Sequence, residues 1–233
     1  MAKVKKFKLY SKLNVNVIDH PKIRFGRLKK KKWLRLKKTE KKPSSDYGLI
    51  LLKKQLLRGF YGNLCERQFK SFYIKSKLLK GNTGLNFIKS LESRLDTVLF
   101  RLRFGNSFEE VRQLITHKHI CVNDKIVSSS SFLLKSQDRI SVKESSFQYV
   151  ADNLKKGLKS SLNIKLDNQV IEKQNINNIL LTNTLLFTPN YLEMNYNILQ
   201  GIFLYSPNLE EIRYPFTPDL SLIMQYYEHT LKV

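Results

Sequence analysis

The sequence predicts an α+β protein: a helical domain interrupted by a second domain of two short helices on a small antiparallel sheet, with an extended basic arm in front. Three observations support this prediction. Apolar residues recur with a helical period over residues 46–116, the period changes to two over residues 120–143, and residues 1–42 are rich in lysine and arginine. A chain of 233 residues with 42% hydrophobic residues is long enough to bury a sizeable core.

The N-terminal arm, residues 1–45, carries most of the excess charge. The formal net charge is +23, and residues 1–42 contribute +15 of it because they hold 17 basic and two acidic residues. Such a charge indicates a polyanionic partner, nucleic acid before an anionic membrane. Basic side chains bind phosphate and an indole stacks on bases, so we predict nucleic-acid contact, with a solvated tail as the alternative. The arm residues assigned to this contact are Lys30, Lys31, Trp33 and Arg35.

Composition excludes several classes of protein. The two cysteines, Cys65 and Cys121, cannot build a disulfide framework or a four-cysteine zinc site, and two free thiols suit a reducing compartment. Without a long apolar run or a secretory leader, we expect neither a membrane-spanning helix nor secretion. Only two alanines occur, a bias that an AT-rich gene of an organelle, a parasite or an endosymbiont would produce.

Residues 46–91 predict three helices, each with one apolar face. Ser44 or Ser45 caps the first helix, Gly62 and Asn63 end it, and a glycine turn at 80–84 precedes the third. The apolar positions at helical spacing are Leu49, Leu52, Leu56, Phe69, Phe72, Tyr73, Leu85, Ile88 and Leu91.

Within residues 92–144 the spacing of apolar residues changes from a helical period to the period of two that is typical of strands. Two helices are predicted, and a capping box at Ser107–Glu110 starts the second of them. Their buried positions are Leu95, Val98, Leu99, Leu102, Phe108, Val111, Leu114 and Ile115. Ile120 and Val122 then alternate with polar residues before a tight turn at Asn123-Asp124, and a later strand covers 139–143.

Basic side chains recur on this predicted unit. Arg94 and Arg101 are expected to project from its first helix and Arg112 from its second. The segment His117-Lys118-His119 follows the second helix. A guanidinium binds phosphate bidentately and stacks on bases, so this pattern favours RNA, with a solvated charged face as the alternative.

The C-terminal third is less regular. Residues 145–188 are rich in Asn and Ser without a long period, which predicts an insertion or mobile loop with a short helix around 152–162. Strand-like pieces return at 191–194 and 201–205. Thr217 and Pro218 then open a C-terminal helix.

The sequence resembles a known family at this point. Segments 94–101, 104–105 and 111–123 read RLDTVLFR, FG and VRQLITHKHICVN. They resemble the RNA-binding domain named after small-subunit ribosomal protein four, which tRNA synthetases, pseudouridine synthases and heat-shock RNA binders also carry. The flanking motifs SDYG, YG, ERQF and LKGNTG between residues 45 and 84 resemble the helical domain of the ribosomal protein itself. The arm matches poorly.

The resemblance implies a domain organisation and a role. A helical domain at 46–91 plus 212–233 would be interrupted by an RNA-binding domain at 92–211 that contains the 145–188 insertion. The protein would be a noncatalytic constituent of the small ribosomal subunit. It would bind the 5′ domain of small-subunit rRNA at a multi-helix junction and nucleate assembly. It would also lie near the channel by which mRNA enters, and support decoding fidelity.

The resemblance also implies partners and a location. Expected partners are small-subunit rRNA, neighbouring ribosomal proteins including small-subunit protein five, and mRNA. No cofactor, metal, membrane or homo-oligomer is expected. Divergence and alanine-poor composition favour the mitochondrial ribosome, with a plastid or a bacterial cytoplasm as alternatives.

Candidate rRNA contacts come from three sources. The resemblance implies Arg94, Arg101, Arg112, Gln113, His117, Lys118 and Asn123. Three neighbouring residues of the predicted RNA-binding domain are further candidates: Arg103, His119 and Lys125. Five more, in the helical domain, are candidates on charge alone: Lys53, Lys54, Arg58, Arg67 and Lys80. Two departures stand out. Arg103 replaces a usual Gly and therefore either requires a positive φ or marks a different helix end. Asp124 also replaces a usual Gly, in a turn that it tolerates less well.

Two other interpretations remain open. Arg94-Leu95-Asp96 matches the catalytic Arg-Leu-Asp of one class of pseudouridine synthase, so a stand-alone RNA-binding or RNA-modifying protein is the alternative. That class continues differently and has a large catalytic domain, so Asp96 is better interpreted as a first-turn carboxylate. His117, His119 and Cys121 form at best a weak metal site.

Overall fold

The computed structural model describes residues 45–152 and 189–231, together with residues 13, 15, 17 and 154. Its named helices are α1 (Asp46–Phe60), α2 (Glu66–Leu78), α3 (Thr83–Glu92), α4 (Leu95–Arg101), α5 (Phe108–Thr116) and α6 (Leu220–Leu231). Its strands are β1 (Ile120–Val122), β2 (Lys125–Ile126), β3 (Asp138–Val142), β4 (Leu192–Asn195) and β5 (Gln200–Phe203). Short 3-10 turns cover Glu144–Ser146 and Leu209–Glu211. The predicted α+β class is confirmed.

The chain divides into two compact units. The first, the helical unit, comprises Met1–Ile88 and Arg213–Val233, and the second, the sheet unit, comprises Lys89–Ile212. Among the described residues, α1, α2 and α6 belong to the helical unit, whereas α4, α5 and the sheet belong to the sheet unit.

Local signals begin and end the first helices as predicted. The Ser45 Oγ accepts a hydrogen bond from the Gly48 N–H at 3.3 Å and so caps α1. After α1 the chain turns through Gly62 and Asn63 with φ of 69° and 50°, values that Gly and Asn adopt more readily than other residues.

Aromatic rings fill the core of the helical unit. The Tyr73 and Tyr227 rings stack 5.0 Å apart, and the Phe69 and Phe87 rings meet edge to face at 4.9 Å. The C-terminal helix α6 packs on α1 and α2, so the last described residues complete this core.

Two described residues of the arm are buried against α1. Leu13 and Val17 are buried in one cluster with Leu56 of α1. Most of the predicted arm at 1–45 lies outside the described residues, so its extended form stays a prediction. Apolar side chains in a basic segment still gain free energy by leaving water.

The sheet unit is built on five antiparallel strands in the order β2-β1-β3-β5-β4. Ile120 lies opposite Val142, and Ile140 lies opposite Gly201. A Cβ on Gly201 would lie 2.7 Å from the Leu102 Cδ1, so only glycine lets the end of α4 pack this closely on the sheet. The predicted apolar positions of α4, α5, β1 and β3 form the core beneath.

Two local predictions need correction. The Ser107 Oγ accepts from the Glu110 N–H as a capping box requires, but the Glu110 carboxylate accepts from the N–H of Asn106 at 2.8 Å instead of that of Ser107. A helix also starts at residue 147, earlier than predicted. Val150 and Leu154 are buried in the core of the sheet unit, which explains why this stretch is ordered. Most of the predicted insertion lies outside the described residues.

Candidate nucleic-acid interface

A buried carboxylate organises the start of α4. The Asp96 Oδ1 accepts from the Arg94 Nε at 2.9 Å, and its Oδ2 accepts from the Arg94 Nη2 at 2.8 Å and the Arg112 Nε at 2.9 Å. Asp96 and Arg94 are both buried. The prediction that Arg94 projects to solvent is therefore wrong.

Backbone pairing explains why Arg94 is covered. The Leu95 and Asp96 N–H groups donate to the Phe132 and Ser130 carbonyls at 2.9 and 3.3 Å, and Arg94 forms a β-bridge with Leu133. The segment 130–133 therefore lies over the beginning of α4. A buried guanidinium needs an anion, and Asp96 supplies it.

The same buried geometry bears on the enzyme alternative. Both oxygens of Asp96 accept hydrogen bonds from arginines, and the carboxyl group is buried. A catalytic aspartate must reach a substrate, and this one is enclosed. Asp96 lies in the first turn of α4, as predicted for a structural carboxylate.

A second buried carboxylate holds Arg101. The Glu92 side chain accepts from the Arg101 Nη2 at 2.8 Å and from the Tyr191 hydroxyl at 2.9 Å. Glu92 is fully buried, whereas Arg101 and Arg112 are half-buried. These two arginines are thus held by Glu92 and Asp96, and their side chains remain partly exposed.

The end of α5 presents the most exposed predicted residues. Gln113, His117 and Lys118 are exposed, and His119 is half-buried. The Lys118 and His119 N–H groups donate to the Ile115 and Leu114 carbonyls at 2.9 and 3.1 Å, which closes the helix. The His119 Nδ1 lies 2.6 Å from the Ser146 Oγ, so its ring is fixed in orientation.

The β1–β2 turn is stabilised by side chains. Asn123 and Asp124 have φ of 49° and 65°. The Asn123 Nδ2 donates to the Asp138 Oδ1 at 2.9 Å, and its Oδ1 accepts from the Arg139 N–H at 2.9 Å. Asp124 pairs with the Arg139 guanidinium, which offsets the less favourable turn residue. Asn123 is thus a turn-forming residue, and Lys125 beside it is exposed.

Two predicted cations of the helical unit, Lys54 and Arg58, pair with the Glu66 carboxylate. The Lys54 Nζ is buried, lies 2.9 Å from the Glu66 Oε1 and sits 3.7 Å from the Tyr226 ring centroid. Glu66 also accepts from Arg58 at 3.3 Å and from the Tyr227 hydroxyl at 2.8 Å. Lys54 was predicted as an rRNA contact, and its burial contradicts this.

This network shifts two pKa values in opposite directions. Burial alone would raise the pKa of Glu66, but hydrogen bonds from Lys54, Tyr227 and Arg58 hold it below its ordinary value. Burial raises the pKa of Tyr227, and the hydrogen bond to the Glu66 carboxylate raises it further. Tyr227 therefore remains a hydrogen-bond donor to Glu66 at neutral pH.

Three other predicted residues of the helical unit differ in exposure. Lys53 is half-buried and pairs with Asp219 at the start of α6. Arg67 and Lys80 are exposed. Lys30, Lys31, Trp33 and Arg35 lie outside the described residues, so their contacts stay predictions.

The structure also reveals exposed residues that sequence reasoning did not assign to the interface. Lys143 is exposed directly after β3. The Tyr149 ring is exposed and lies 6.4 Å from that of His119. Tyr149 was missed because its segment lacks a long apolar period.

The described part of the chain holds neither a metal cluster nor a bilayer-spanning helix. No group of three or more His, Cys, Asp or Glu side chains there could hold a metal ion. The His117 and His119 rings lie 5.9 Å apart. None of the helices described is long and apolar enough to span a bilayer.

Known families match both parts of the chain. The S4 domain matches residues 93–140, and the Ribosomal protein S4/S9 N-terminal domain matches residues 2–92. The second match begins within the arm, so the interpretation that the arm matches the family poorly is wrong.

Similar proteins carry a ribosomal name. The small ribosomal subunit protein uS4m of Reclinomonas americana is 36% identical over 181 residues, which cover 78% of this chain and 65% of that protein. The uS4 proteins of Pelagibacter ubique and Rickettsia canadensis are 33% and 38% identical over 222 and 184 residues. Those matches cover 95% and 79% of this chain and 96% and 78% of the relatives. The chain therefore belongs to the family of small ribosomal subunit protein uS4, a structural ribosomal protein and not an enzyme.

Proposed function

We propose that this protein is a structural constituent of the small ribosomal subunit that binds the 5′ domain of small-subunit rRNA. One observation carries the proposal. The sheet unit exposes basic and polar side chains at the end of α5 and beside the β1–β2 turn, on a scaffold fixed by two buried carboxylates. A rigid basic surface suits a folded RNA, whose phosphates have a fixed spacing.

The surface has two kinds of contact. Arg101 and Arg112 are anchored from behind by Glu92 and Asp96, so their accessible edges lose little side-chain entropy when they bind a phosphate. Lys118 and Lys125 are exposed and supply mobile charges that bind by counterion release. Gln113 and His117 are exposed and add further hydrogen-bonding groups.

The helical unit supplies a smaller set of contacts. Lys54 is excluded by its burial, and the charges of Lys53 and Arg58 are partly neutralised by Asp219 and Glu66. Arg67 and Lys80 are exposed and remain the rRNA contacts proposed here.

The finer role follows from family membership. We infer that the rRNA site is a multi-helix junction, that binding nucleates subunit assembly, and that the protein contacts small-subunit protein five near the channel by which mRNA enters. Membership of the family supports these assignments.

We place this subunit in the mitochondrial ribosome. A mitochondrial relative and alphaproteobacterial relatives share 33–38% identity with the chain. The near absence of alanine fits an AT-rich organellar gene.

A sedimentation experiment tests the proposed function. The tagged full-length chain should cosediment with small ribosomal subunits through a sucrose gradient of its source cells or organelles. The purified protein should also retain the transcribed 5′ domain of that rRNA on a filter. Recovery only at the top of the gradient, with no retention of the 5′ domain, would overturn the proposal.

A further inference from the structure

Three aromatic rings, those of His117, His119 and Tyr149, lie close together after α5. The His117 and Tyr149 ring centroids are 5.9 and 6.4 Å from that of His119, and the ring planes are inclined by 35° and 40°. In the helical unit, by contrast, the Tyr73 and Tyr227 rings stack at 5.0 Å with planes only 24° apart. The three rings of this aromatic row therefore do not stack on one another.

Backbone and side-chain bonds fix the aromatic row in place. The Lys143 N–H donates to the His119 carbonyl at 2.9 Å, next to the β1–β3 pairing. The buried Ser146 Oγ lies 2.6 Å from the His119 Nδ1. Tyr149 lies in the helical stretch that begins at residue 147, and its neighbour Val150 is buried in the core of the sheet unit. A ligand of the row therefore pays little ordering entropy on the protein side.

The outer members of the row are open to solvent. Tyr149 is 54% exposed, and His117 is exposed as well. One exposed tyrosine is ordinary on a protein surface. A fixed tyrosine ring beside two imidazole rings is a broader surface, and aromatic side chains of this kind are those on which unpaired bases stack.

The end of α4 gives an internal comparison. Arg103 and Phe104 close α4 with bonds to the Phe100 and Leu99 carbonyls at 3.2 and 3.1 Å, as Lys118 and His119 close α5. Arg103 is exposed and has a positive φ of 65°, but Phe104 after it is buried in the core. The cation after α4 is thus followed by a core residue, whereas the cation after α5 is flanked by the aromatic row.

Charges around the row are mixed. Lys118 and Lys143 are exposed, and Glu144, which follows Lys143, is exposed too. The carboxylate offsets part of the local positive charge. Stacking, not phosphate binding, is therefore the main interaction that the row itself offers to a nucleic acid.

An apolar protein segment is the competing occupant. Such a partner needs neighbouring apolar side chains, whereas the chain neighbours of His119 and Tyr149 include Lys118, Lys143 and Glu144. Phe147 is partly exposed, but it precedes Tyr149 by two residues, and residues at that spacing do not share a helix face. The surroundings of the row therefore favour a nucleotide.

We propose that Tyr149 and His119 form a stacking platform for an unpaired base of the small-subunit rRNA. The proposal rests on the proposed rRNA binding and deepens it, because it names the kind of nucleotide that this part of the surface takes. A base turned out of its helix presents an open π-face, and the Tyr149 ring offers a matching one. Since Ser146 engages the His119 Nδ1, any hydrogen bond from this imidazole to the nucleotide uses Nε2.

The test separates stacking from charge. Tyr149→Leu in the full-length protein should weaken filter binding to the transcribed 5′ domain about tenfold. The slope of log affinity against log salt should stay unchanged, because no phosphate contact is lost. Tyr149→Phe keeps the ring and should bind like the wild type. Lys118→Gln should show the other signature, a slope reduced by about 1.

Tyr205→Leu is the matched control. Tyr205 is an exposed tyrosine of the same unit, and its hydroxyl donates to the Glu211 carboxylate at 3.3 Å. Its replacement should leave the affinity for the 5′ domain unchanged. Ultraviolet crosslinking of the wild-type complex gives a second measurement that needs no variant. The peptide that contains Tyr149 should carry a crosslinked nucleotide, identified by mass spectrometry.

The outcomes distinguish this platform from the proposed function. If the wild-type protein does not bind the 5′ domain, the proposed function itself is wrong. If it binds, but Tyr149→Leu binds equally well and no crosslink forms at Tyr149, rRNA binding stands and the platform is overturned. An equal loss of affinity in Tyr149→Phe would assign the contact to the hydroxyl and also overturn stacking. A lower Tm for Tyr149→Leu with unchanged affinity would show that the ring serves the fold alone.

Discussion

The two units handle buried charge in opposite ways. In the sheet unit both carboxylates are inside: the Asp96 and Glu92 side chains are 1% and 0% exposed. Arg94 is buried with Asp96, whereas the other partners, Arg112 and Arg101, are 11% and 17% exposed. In the helical unit the cation is inside: Lys54 is 4% exposed and its partner Glu66 is 41% exposed.

This difference determines whether the cation or the carboxylate of each pair is the one more accessible to a ligand. In the Glu92–Arg101 and Asp96–Arg112 pairs the arginine is the more exposed partner, whereas in the Lys54–Glu66 pair the carboxylate is. A basic residue in the sequence therefore contributes to an RNA surface only if its charge is not the buried half of a pair. Formal charge therefore overstates the positive surface at Lys54 in the helical unit and at Arg94 in the sheet unit.

The largest effect is expected at Asp96. Asp96→Asn removes the charge that two arginines share and leaves the buried Arg94 guanidinium without its anion. We expect a loss of about 3–5 kcal/mol in the free energy of unfolding, measured by urea denaturation of the full chain. Arg139→Gln is the control, because its pair with Asp124 is exposed and should be worth under about 1 kcal/mol. Equal losses for the two variants would contradict the buried network.

An intermediate effect is expected in the Lys54–Glu66 pair, where the cation is the buried partner. Glu66→Gln leaves the buried Lys54 ammonium without its carboxylate and should cost about 1.5–3 kcal/mol. Lys54→Met leaves Glu66 reachable by water and by Arg58, so its cost should be under about 1 kcal/mol. Thermal or urea unfolding of the two variants side by side decides the order. A larger loss for Lys54→Met would mean that the cation, not the carboxylate, is the easier partner to solvate.

The smallest effect concerns pH. Because folding lowers the pKa of Glu66 below its ordinary value of 4.5, the carboxylate contributes stability above that value. This contribution is lost as the pH falls through the lowered pKa. The difference in unfolding free energy between wild type and Glu66→Gln should therefore shrink from about pH 6 to about pH 3. A difference that stays constant or grows on acidification would contradict the shift.

Apolar spacing predicted most of the fold. Helices and strands bury one face, so positions such as Leu95, Val111 and Ile140 follow directly from a period of 3.6 or two. The Ser45 cap and the Gly62-Asn63 break were equally local, which is why both predictions are confirmed.

The candidate interface could be predicted only in part. Lys118 lies just after the end of α5, and Lys125 lies just after the turn that ends β1. Their exposure could therefore be predicted from local features. Arg94 is covered by the segment 130–133, and its partner Asp96 is shared with Arg112, 16 residues further along the chain. Lys54 is buried by Glu66, 12 residues away. Periodicity treats every charged residue as outward, so it cannot detect partners that tertiary packing supplies.

Lysine footprinting tests the rRNA surface most directly. An amine-reactive reagent would be applied to the free protein and to the assembled small subunit, with modified lysines identified by mass spectrometry. Lys54 serves as the internal control, because its buried ammonium should react in neither state. The proposed interface predicts that Lys118 and Lys125 react in the free protein and lose reactivity in the subunit. Equal reactivity of both lysines in the two states would contradict it.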